Sequence, residues 1–196
     1  MKFRTKKQFA LFGTSADPPT IGHKKILEEL SNIYSFTITY ASNNPQKKHK
    51  ENISIRSFLL ETLVKELDKP NIIFDQKISS QWAIESIQKF RNIYKSDSLD
   101  FVIGSDLIAD IFYWKDFNQI IKEVNFFIIL REGHTINPHT LEKLKHNKVN
   151  FKISPLNIPN ISSSMIRLNT DYSNLPKSLI EIVKKNNLYI STKLVE

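Results

Sequence analysis

The sequence predicts an α/β protein built on a doubly wound parallel sheet, with a small helical extension at its C-terminal end. Short apolar runs alternate with segments whose apolar residues recur at helical spacing, a pattern typical of βαβ units. The runs are continuously apolar, as expected for strands that are covered on both faces. No repeat, low-complexity tract or Pro/Gly/Ser-rich linker divides the 196 residues, so we expect a single domain over residues 1–196.

The first half of the chain predicts three pairs of a strand followed by a helix. The strands are short runs of apolar, mainly β-branched or aromatic residues, at 9–12, 36–40 and 71–74. The helices carry apolar residues at i, i+3, i+4 and i+7, over 20–30, 55–67 and 83–94. Gly13 closes the first strand, and the loop at 42–45 closes the second.

The second half continues the alternation. Its predicted elements are a strand at 101–104, a helix at 117–124, a strand at 126–130, a weaker helix at 141–146, a short strand at 149–153 and a helix at 175–186. Pro176 is expected in the first turn of the last helix, where a missing N–H is tolerated. Ligands of parallel sheets bind beyond the carboxyl ends of the strands, so the loops after strands one, two, four and five should carry the chemistry.

Composition narrows the classes of function. The absence of cysteine excludes a disulfide framework, thiolate zinc sites, iron–sulfur clusters and a cysteine nucleophile. With 28 Lys+Arg against 20 Asp+Glu the net charge is +8, which favours nucleic acid, anionic membranes or phosphorylated small molecules as partners. No apolar run approaches the ~18–20 residues of a membrane span, and the basic residues 1–7 precede too short an apolar run for a signal peptide. We therefore expect a soluble, cytoplasmic protein.

The segment after the first strand, residues 13–23, is Gly-Thr-Ser-Ala-Asp-Pro-Pro-Thr-Ile-Gly-His. Gly13 allows a sharp turn, and Thr20 can cap the helix that follows. Gly22 and His23 then lie in the first helical turn, where free N–H groups and the helix dipole favour an anion. An alternative is a capped helix whose first turn packs a hydrogen-bonded histidine. The segment is neither a P-loop nor a G-x-G-x-x-G fingerprint, which disfavours kinases and dehydrogenases.

A second polar segment, residues 161–167, is Ile-Ser-Ser-Ser-Met-Ile-Arg. Its three serines offer a cap and several donors at a helix N-terminus, and Arg167 offers a fork for phosphate. Ordinary helix capping is the alternative for the serines.

Residues 13–23 resemble the signature of the nucleotidyltransferases named for their (T/H)xGH motif, and residues 161–167 resemble the ISSTxIR motif of the same superfamily, whose fold is Rossmann-like. These enzymes transfer a nucleotidyl group from a nucleoside triphosphate and release pyrophosphate. The resemblance implies that His23 and Arg167 are catalytic residues that contact the triphosphate. Thr20 stands where the most similar members usually have histidine; threonine at this position is found in phosphopantetheine adenylyltransferases.

Residues 101–107, followed by Trp114, are similar to the "IIGAD…W" segment of bacterial nicotinate-nucleotide adenylyltransferases. In that family the glycine and aspartate lie by the adenosine ribose, and the tryptophan neighbours the nicotinate ring. Residues 130–133 and 175–189 also match the family. The resemblance implies an ATP site made of Gly13, Thr14, Ser15, Thr20, Gly22, Gly104, Asp106, Ser162, Ser163 and Ser164. Without the resemblance, Asp106 could equally be a helix cap and Trp114 a core residue.

The acceptor side departs from the family pattern. The family's proline-histidine-lysine stretch is replaced here by residues 43–49, in which Gln46 precedes Lys47. The family's Ser-Tyr-Thr before the third helix is replaced by residues 81–83, with Ala83 in place of the threonine. The residues implied to bind the acceptor are Lys47, Trp82, Trp114 and Arg131. The alternatives are that Lys47 is a solvated surface residue and that the indole of Trp82 packs against the third helix.

The resemblance implies transfer of an adenylyl group from MgATP to nicotinate mononucleotide, giving nicotinate adenine dinucleotide (deamido-NAD) and pyrophosphate, a step of NAD biosynthesis. Mg²⁺ is expected to be held by phosphates and water, with no protein ligand. Small molecules are the expected partners, with neither nucleic acid nor membrane, and self-association stays open. Nicotinamide mononucleotide and phosphopantetheine are alternative acceptors. A basic nucleotide- or nucleic-acid-binding protein is the non-enzymatic alternative, which the dispersed lysines disfavour.

Overall fold

The computed structural model describes residues 7–96, 98–133, 135–159 and 161–190. Its sheet has six strands in the order β3-β2-β1-β4-β5-β6, and all of their pairings are parallel. The strands are β1 (Gln8–Thr14), β2 (Phe36–Ala41), β3 (Ile72–Phe74), β4 (Ser98–Gly104), β5 (Asn125–Arg131) and β6 (Phe151–Ile158). This is the doubly wound order, so the predicted Rossmann-like parallel sheet is confirmed.

Seven α-helices accompany these strands in the part of the chain that the structure describes. They are α1 (Ile21–Ile33), α2 (Ile53–Leu67), α3 (Ala83–Ile93), α4 (Phe117–Glu123), α5 (Pro138–His146), α6 (Ser163–Asn169) and α7 (Lys177–Lys185). Each helix predicted from apolar spacing is present, with ends that differ by a few residues. Pro176 precedes α7 as its N-cap and does not lie in the first turn.

Further features of the structure differ from the sequence-based prediction. The last strand was expected at 149–153 but runs from Phe151 to Ile158, through Pro155. Proline cannot donate to a sheet, yet β6 is an edge strand, where that donor is not required. Four 3₁₀ helices, at Gln76–Ile78, Ser105–Leu107, Ile111–Tyr113 and Tyr172–Asn174, were not predicted, because one turn is too short to show a period.

The sheet is buried on both faces. Successive residues of β1 point to opposite sides, so that Leu11 joins one core cluster with Phe90 of α3, whereas Phe12 joins another with Leu27 of α1. This double coverage explains why the strands are continuously apolar.

A third core cluster attaches the C-terminal helices to the sheet domain. Leu59 of α2, Ile166 of α6 and Leu179 of α7 are buried together with Tyr189, which lies beyond α7. Glu66 of α2 also accepts a hydrogen bond from the backbone N–H of Ser178 (2.8 Å). The predicted helical extension is therefore part of the core, and it fixes the position of α6.

The sheet order reverses next to β1, which pairs with β2 on one side and with β4 on the other. Connections on opposite sides of this point run over opposite faces, which leaves a crevice beyond the carboxyl ends of β1 and β4.

Among the described residues, no helix has both the length and the apolar character needed to cross a bilayer. The basic segment considered for a signal peptide lies outside the described residues, except for Lys7.

We expect Leu179→Ala to lower the free energy of unfolding by about 2–5 kcal/mol, because a fully buried leucine of the third cluster would leave a cavity. Leu168→Ala is the matched control: Leu168 lies in α6 and is 70% exposed, so its loss should change the free energy of unfolding by less than ~0.5 kcal/mol. Urea denaturation followed by circular dichroism measures both values. Equal losses would contradict the packing of α7 described here.

Candidate active site

A cavity of about 750 Å³ opens at the carboxyl edge of the sheet, in the crevice beside β1 and β4. All sixteen residues predicted for the site line it: Gly13, Thr14, Ser15, Thr20, Gly22, His23, Lys47, Trp82, Gly104, Asp106, Trp114, Arg131, Ser162, Ser163, Ser164 and Arg167. Residues that are far apart in sequence thus come together around one space. Their individual roles stay predictions.

Gly13 makes room for the ring of Tyr40. The glycine lies inside β1, which continues to Thr14, so the predictions that it closes the strand and turns the chain sharply were wrong. It is paired with Tyr40 of β2, and a Cβ atom at this position would lie 2.6 Å from the Tyr40 ring. A larger residue would displace either the ring or the strand end.

His23 is held by the backbone that it caps. Thr20 and His23 form a capping box at the start of α1: the Thr20 hydroxyl accepts from the His23 N–H, and His23 Nδ1 accepts from the Thr20 N–H (3.0 Å). The Thr20 hydroxyl also lies 2.9 Å from the same nitrogen. A backbone N–H can only donate, so Nδ1 carries no proton, and the proton of the neutral ring is on Nε2.

The surroundings of His23 keep the ring neutral. Burial, followed by the nearby cations Arg131 and Lys47, lowers the pKa of His23 from 6.5 to about 4. Near neutral pH the ring is therefore an uncharged donor on the cavity wall. His23 is thus a capping residue that also lines the cavity, and its catalytic role stays a prediction.

The N-terminus of α6 is joined to the loop after β1, residues 15–20, called here the first loop. Ser162 caps the helix by accepting from the Met165 N–H, and the Ser163 hydroxyl donates to the Pro18 carbonyl (2.7 Å). Arg167 donates to the Asp17 carbonyl, and its Nη1 lies 3.8 Å from the Asp17 carboxylate. The serine segment therefore both caps a helix and connects the two predicted triphosphate-binding segments.

Several charged groups face the cavity. Arg131, at the end of β5, lies 3.9 Å from the carboxylate of Asp106, which follows β4. Lys47 comes from the loop after β2, residues 42–52, called here the second loop. Cations gathered in a crevice with low-dielectric walls attract a polyanion such as a triphosphate.

Two indoles mark another part of the wall. Trp114 packs edge-on against Phe101 (centroids 6.0 Å apart) and also lines the cavity, so it is both a core residue and a wall residue. Lys115 Nζ lies 5.7 Å from the centroid of the Trp82 ring and 3.0 Å from the Glu85 carboxylate.

Sequence reasoning missed three residues. Asp17 is 1% exposed, and its carboxylate accepts from the N–H groups of Lys50 and Glu51 in the second loop. His49 lines the cavity, and burial, with Arg56 next in effect, lowers its pKa. Arg56 is fully buried at the start of α2. Its burial could have been predicted from the sequence, because Arg56 falls in register with the buried leucines of that helix.

No cluster of three or more His, Asp or Glu side chains suited to a metal ion is found within the ranges that the structure describes. The Asp106 carboxylate lies beside Arg131, and that of Asp17 is occupied by backbone donors.

A family model, curated relatives and a solved structure all match this chain over most of its length. A family model described as cytidylyltransferase-like matches residues 11–169. A Clostridium tetani protein named "Probable nicotinate-nucleotide adenylyltransferase" is 30% identical over 199 residues, covering 93% of this chain and 99% of the relative. A Synechocystis protein of the same name is 28% identical, covering 93% and 98%. The structure titled Plasmodium falciparum nicotinic acid mononucleotide adenylyltransferase complexed with NaAD superimposes with a TM-score of 0.76 at 22% identity, covering 93% and 97%.

The pKa of His23 predicts a pH dependence of stability. Between about pH 6.5 and 4 the unfolded chain binds a proton at this residue and the folded chain does not, so the free energy of unfolding should fall as the pH is lowered through this range. In His23→Gln, which can keep the capping box, the fall between about pH 7 and about pH 4.5 should be smaller than in the wild type.

His139→Gln is the control, since His139 is exposed on α5. Urea denaturation at the two pH values measures all three proteins. An unchanged pH dependence in His23→Gln would show that His23 is not held neutral by the fold.

Proposed function

Because the chain belongs to the cytidylyltransferase-like family, and because relatives that match 93% of its length are named probable nicotinate-nucleotide adenylyltransferases, we propose that it transfers the adenylyl group of ATP to the phosphate of nicotinate mononucleotide. The chain is a nucleotidyltransferase, and its reaction is a step of NAD biosynthesis. The observation that carries the proposal is the convergence of sixteen predicted site residues on one cavity at the switch point of the sheet.

The reaction needs positioning more than proton transfer. An oxygen of the mononucleotide phosphate attacks the α-phosphorus of ATP, the bond to the bridging oxygen of the β-phosphate breaks, and pyrophosphate leaves with that electron pair. The attacking phosphate is already ionised near neutral pH, so no general base is required. The protein's task is to hold two anions in line and to stabilise the charge that develops on the α-phosphate and on pyrophosphate.

His23 and the start of α6 supply the donors in this proposal. The Nε2–H of a neutral, fixed imidazole donates to the triphosphate in the transition state without reorganisation. The first-turn amides of α1, the hydroxyls of Ser162 and Ser164 and the fork of Arg167 add further donors. Lys47 and Arg131 supply positive charge on the same wall.

We propose that Mg²⁺ accompanies ATP and is held by phosphate oxygens and water. This arrangement suits Mg²⁺, which keeps several of its waters and binds substrate phosphates. When bound, the ion neutralises charge on the phosphates.

The remaining lining residues divide between the two substrates. Gly104 and Asp106 follow β4 and suit the adenosine ribose, whose hydroxyls can donate to the carboxylate. Trp82 and Trp114 offer aromatic faces for the nicotinate ring. In this proposal Lys115, whose Nζ lies 5.7 Å from the centroid of the Trp82 ring, exchanges its bond to Glu85 for a bond to the nicotinate carboxylate.

We further propose that the chain acts in the cytoplasm, as one domain over residues 1–196, on small molecules. Thr20 gives no specific support to phosphopantetheine as the acceptor, because its bonds to His23 account for a hydroxyl at this position.

ATP offered with nicotinate mononucleotide, nicotinamide mononucleotide or phosphopantetheine, with release of pyrophosphate followed, tests this proposal. We expect kcat/KM for nicotinate mononucleotide to exceed that for the amide by more than about 10-fold, because a site built for a charged oxygen leaves its donors poorly paired by the neutral isostere. Phosphopantetheine should give no turnover.

Lys115→Gln should narrow that ratio, whereas Lys122→Gln, on the exposed side of α4, should not. Equal use of the two mononucleotides by the wild type would contradict the acceptor assignment and leave adenylyl transfer standing. No turnover with any acceptor would contradict the function itself.

Replacing His23 with alanine should lower kcat by roughly 10²–10³-fold, the scale of losing one preorganised donor. Asn137→Ala is the matched control: Asn137 caps α5 through its side chain, so its loss removes a helix cap of similar value away from the cavity. Steady-state kinetics at saturating substrates, with thermal unfolding of each variant, separates the two effects. A His23→Ala enzyme as active as Asn137→Ala would rule out His23 as a catalytic donor.

A further inference from the structure

Arg56 joins the two loops that border the cavity. Its side chain lies inside the protein, with the residue 1% exposed. Its Nη1 donates to the carbonyl of Ser15 (2.7 Å), in the first loop, and to the carbonyl of Ser42 (2.8 Å), in the second loop. Its Nε donates to the carbonyl of Glu51 (3.1 Å) at the end of the second loop. One guanidinium therefore fixes three points of backbone.

The location of these bonds follows from the way β1 and β2 end. The last paired residues are Thr14 and Ala41, and one more backbone bond, from the Ser42 N–H to the Thr14 carbonyl (2.7 Å), continues the contact. The pairing of β1 with β2 ends there, so the carbonyls of Ser15 and Ser42 lie beyond the ladder. Carbonyls that are partly withdrawn from water need donors, and Arg56 supplies one to each.

The charge of Arg56 is balanced within the same cluster. The Asp17 carboxylate, itself buried, lies close enough to interact electrostatically with Arg56. It also accepts the N–H groups of Lys50 (2.7 Å) and Glu51 (3.2 Å) and lies 3.8 Å from Arg167. Both loops and α6 thus share one network of buried charges and backbone groups.

We propose that Arg56 is a positioning residue for adenylyl transfer: it sets the distance between the first loop, which holds ATP, and the second loop, which holds the phosphate of the mononucleotide. The inference rests on the function proposed above, and Arg56 itself does not line the cavity. Attack in line requires the reacting atoms to be placed within a fraction of an ångström. A small change in the separation of the loops therefore slows the reaction more than it weakens the binding of either substrate alone.

Arg56→Met tests the proposal, because methionine keeps an apolar stem in the helix and removes every donor. We expect its kcat at saturating substrates to fall at least about 10-fold. The dissociation constants of ATP alone and of nicotinate mononucleotide alone, measured by calorimetry, should rise by a smaller factor. Arg56→Lys keeps a cation beside Asp17 but has one donor nitrogen where arginine uses two, so its kcat should lie between those of Arg56→Met and the wild type.

Arg91→Met is the matched control. Arg91 also donates to backbone, at Ser96 and Glu123, but these residues precede β4 and β5 at the opposite edge of the sheet. It should lose stability without losing kcat when all variants are assayed well below their melting temperatures.

Retention of kcat within about 3-fold in Arg56→Met, or an equal fall in Arg91→Met, would overturn the proposal. If Arg56→Met does not fold, Arg56→Lys decides: a lowered kcat supports the proposal, and wild-type kcat overturns it. An inactive wild type would contradict the proposed function, whereas an active wild type with an equally active Arg56 variant would contradict only this role.

Discussion

The contact between the first loop and α6 is the interaction on which the site depends. Arg167 and Ser163 reach the carbonyls of Asp17 and Pro18 from positions 150 and 145 residues away in the chain. That contact holds the predicted phosphate donors of α6 against the first loop, beside the ends of β1 and β4. The third core cluster serves the same contact, because it packs α6 and α7 against α2.

Periodicity predicted most of the fold, and the family resemblance predicted residues that line one cavity, although their roles stay predictions. The strands were predictable because both sheet faces are buried, and the lining residues because the signatures lie directly after strands or at a helix start. Asp17 and Arg56 were not found, because their partners are backbone groups of other segments and backbone contacts leave no trace in side-chain patterns. The burial of Arg56 had one indication in the sequence, namely its position in register with the buried leucines of α2. The second half of β6 was not predicted because it contains Pro155, and proline is usually absent from strands. That rule does not hold at a sheet edge.

The structural role of His23 is compatible with the catalytic role proposed for it. The bond from the Thr20 N–H that caps α1 also selects the tautomer with its proton on Nε2. The same burial that a packed histidine experiences keeps the ring neutral. Helix capping therefore prepares the donor, and a threonine at position 20 strengthens that preparation through its hydroxyl.

The net charge of +8 says little about the field inside the cavity, because several cations near it are already engaged. Arg56 is bound to three carbonyls, and Lys115 is paired with Glu85. Arg167 directs one donor each to Asp17 and Ser164, and Arg131 lies beside Asp106. In the proposed reaction a few partly engaged cations, a neutral imidazole donor and helix N-termini would stabilise charge as it builds on the transferred group, whereas a larger set of free cations would also bind the released pyrophosphate tightly. A site of this kind favours the transition state over the product.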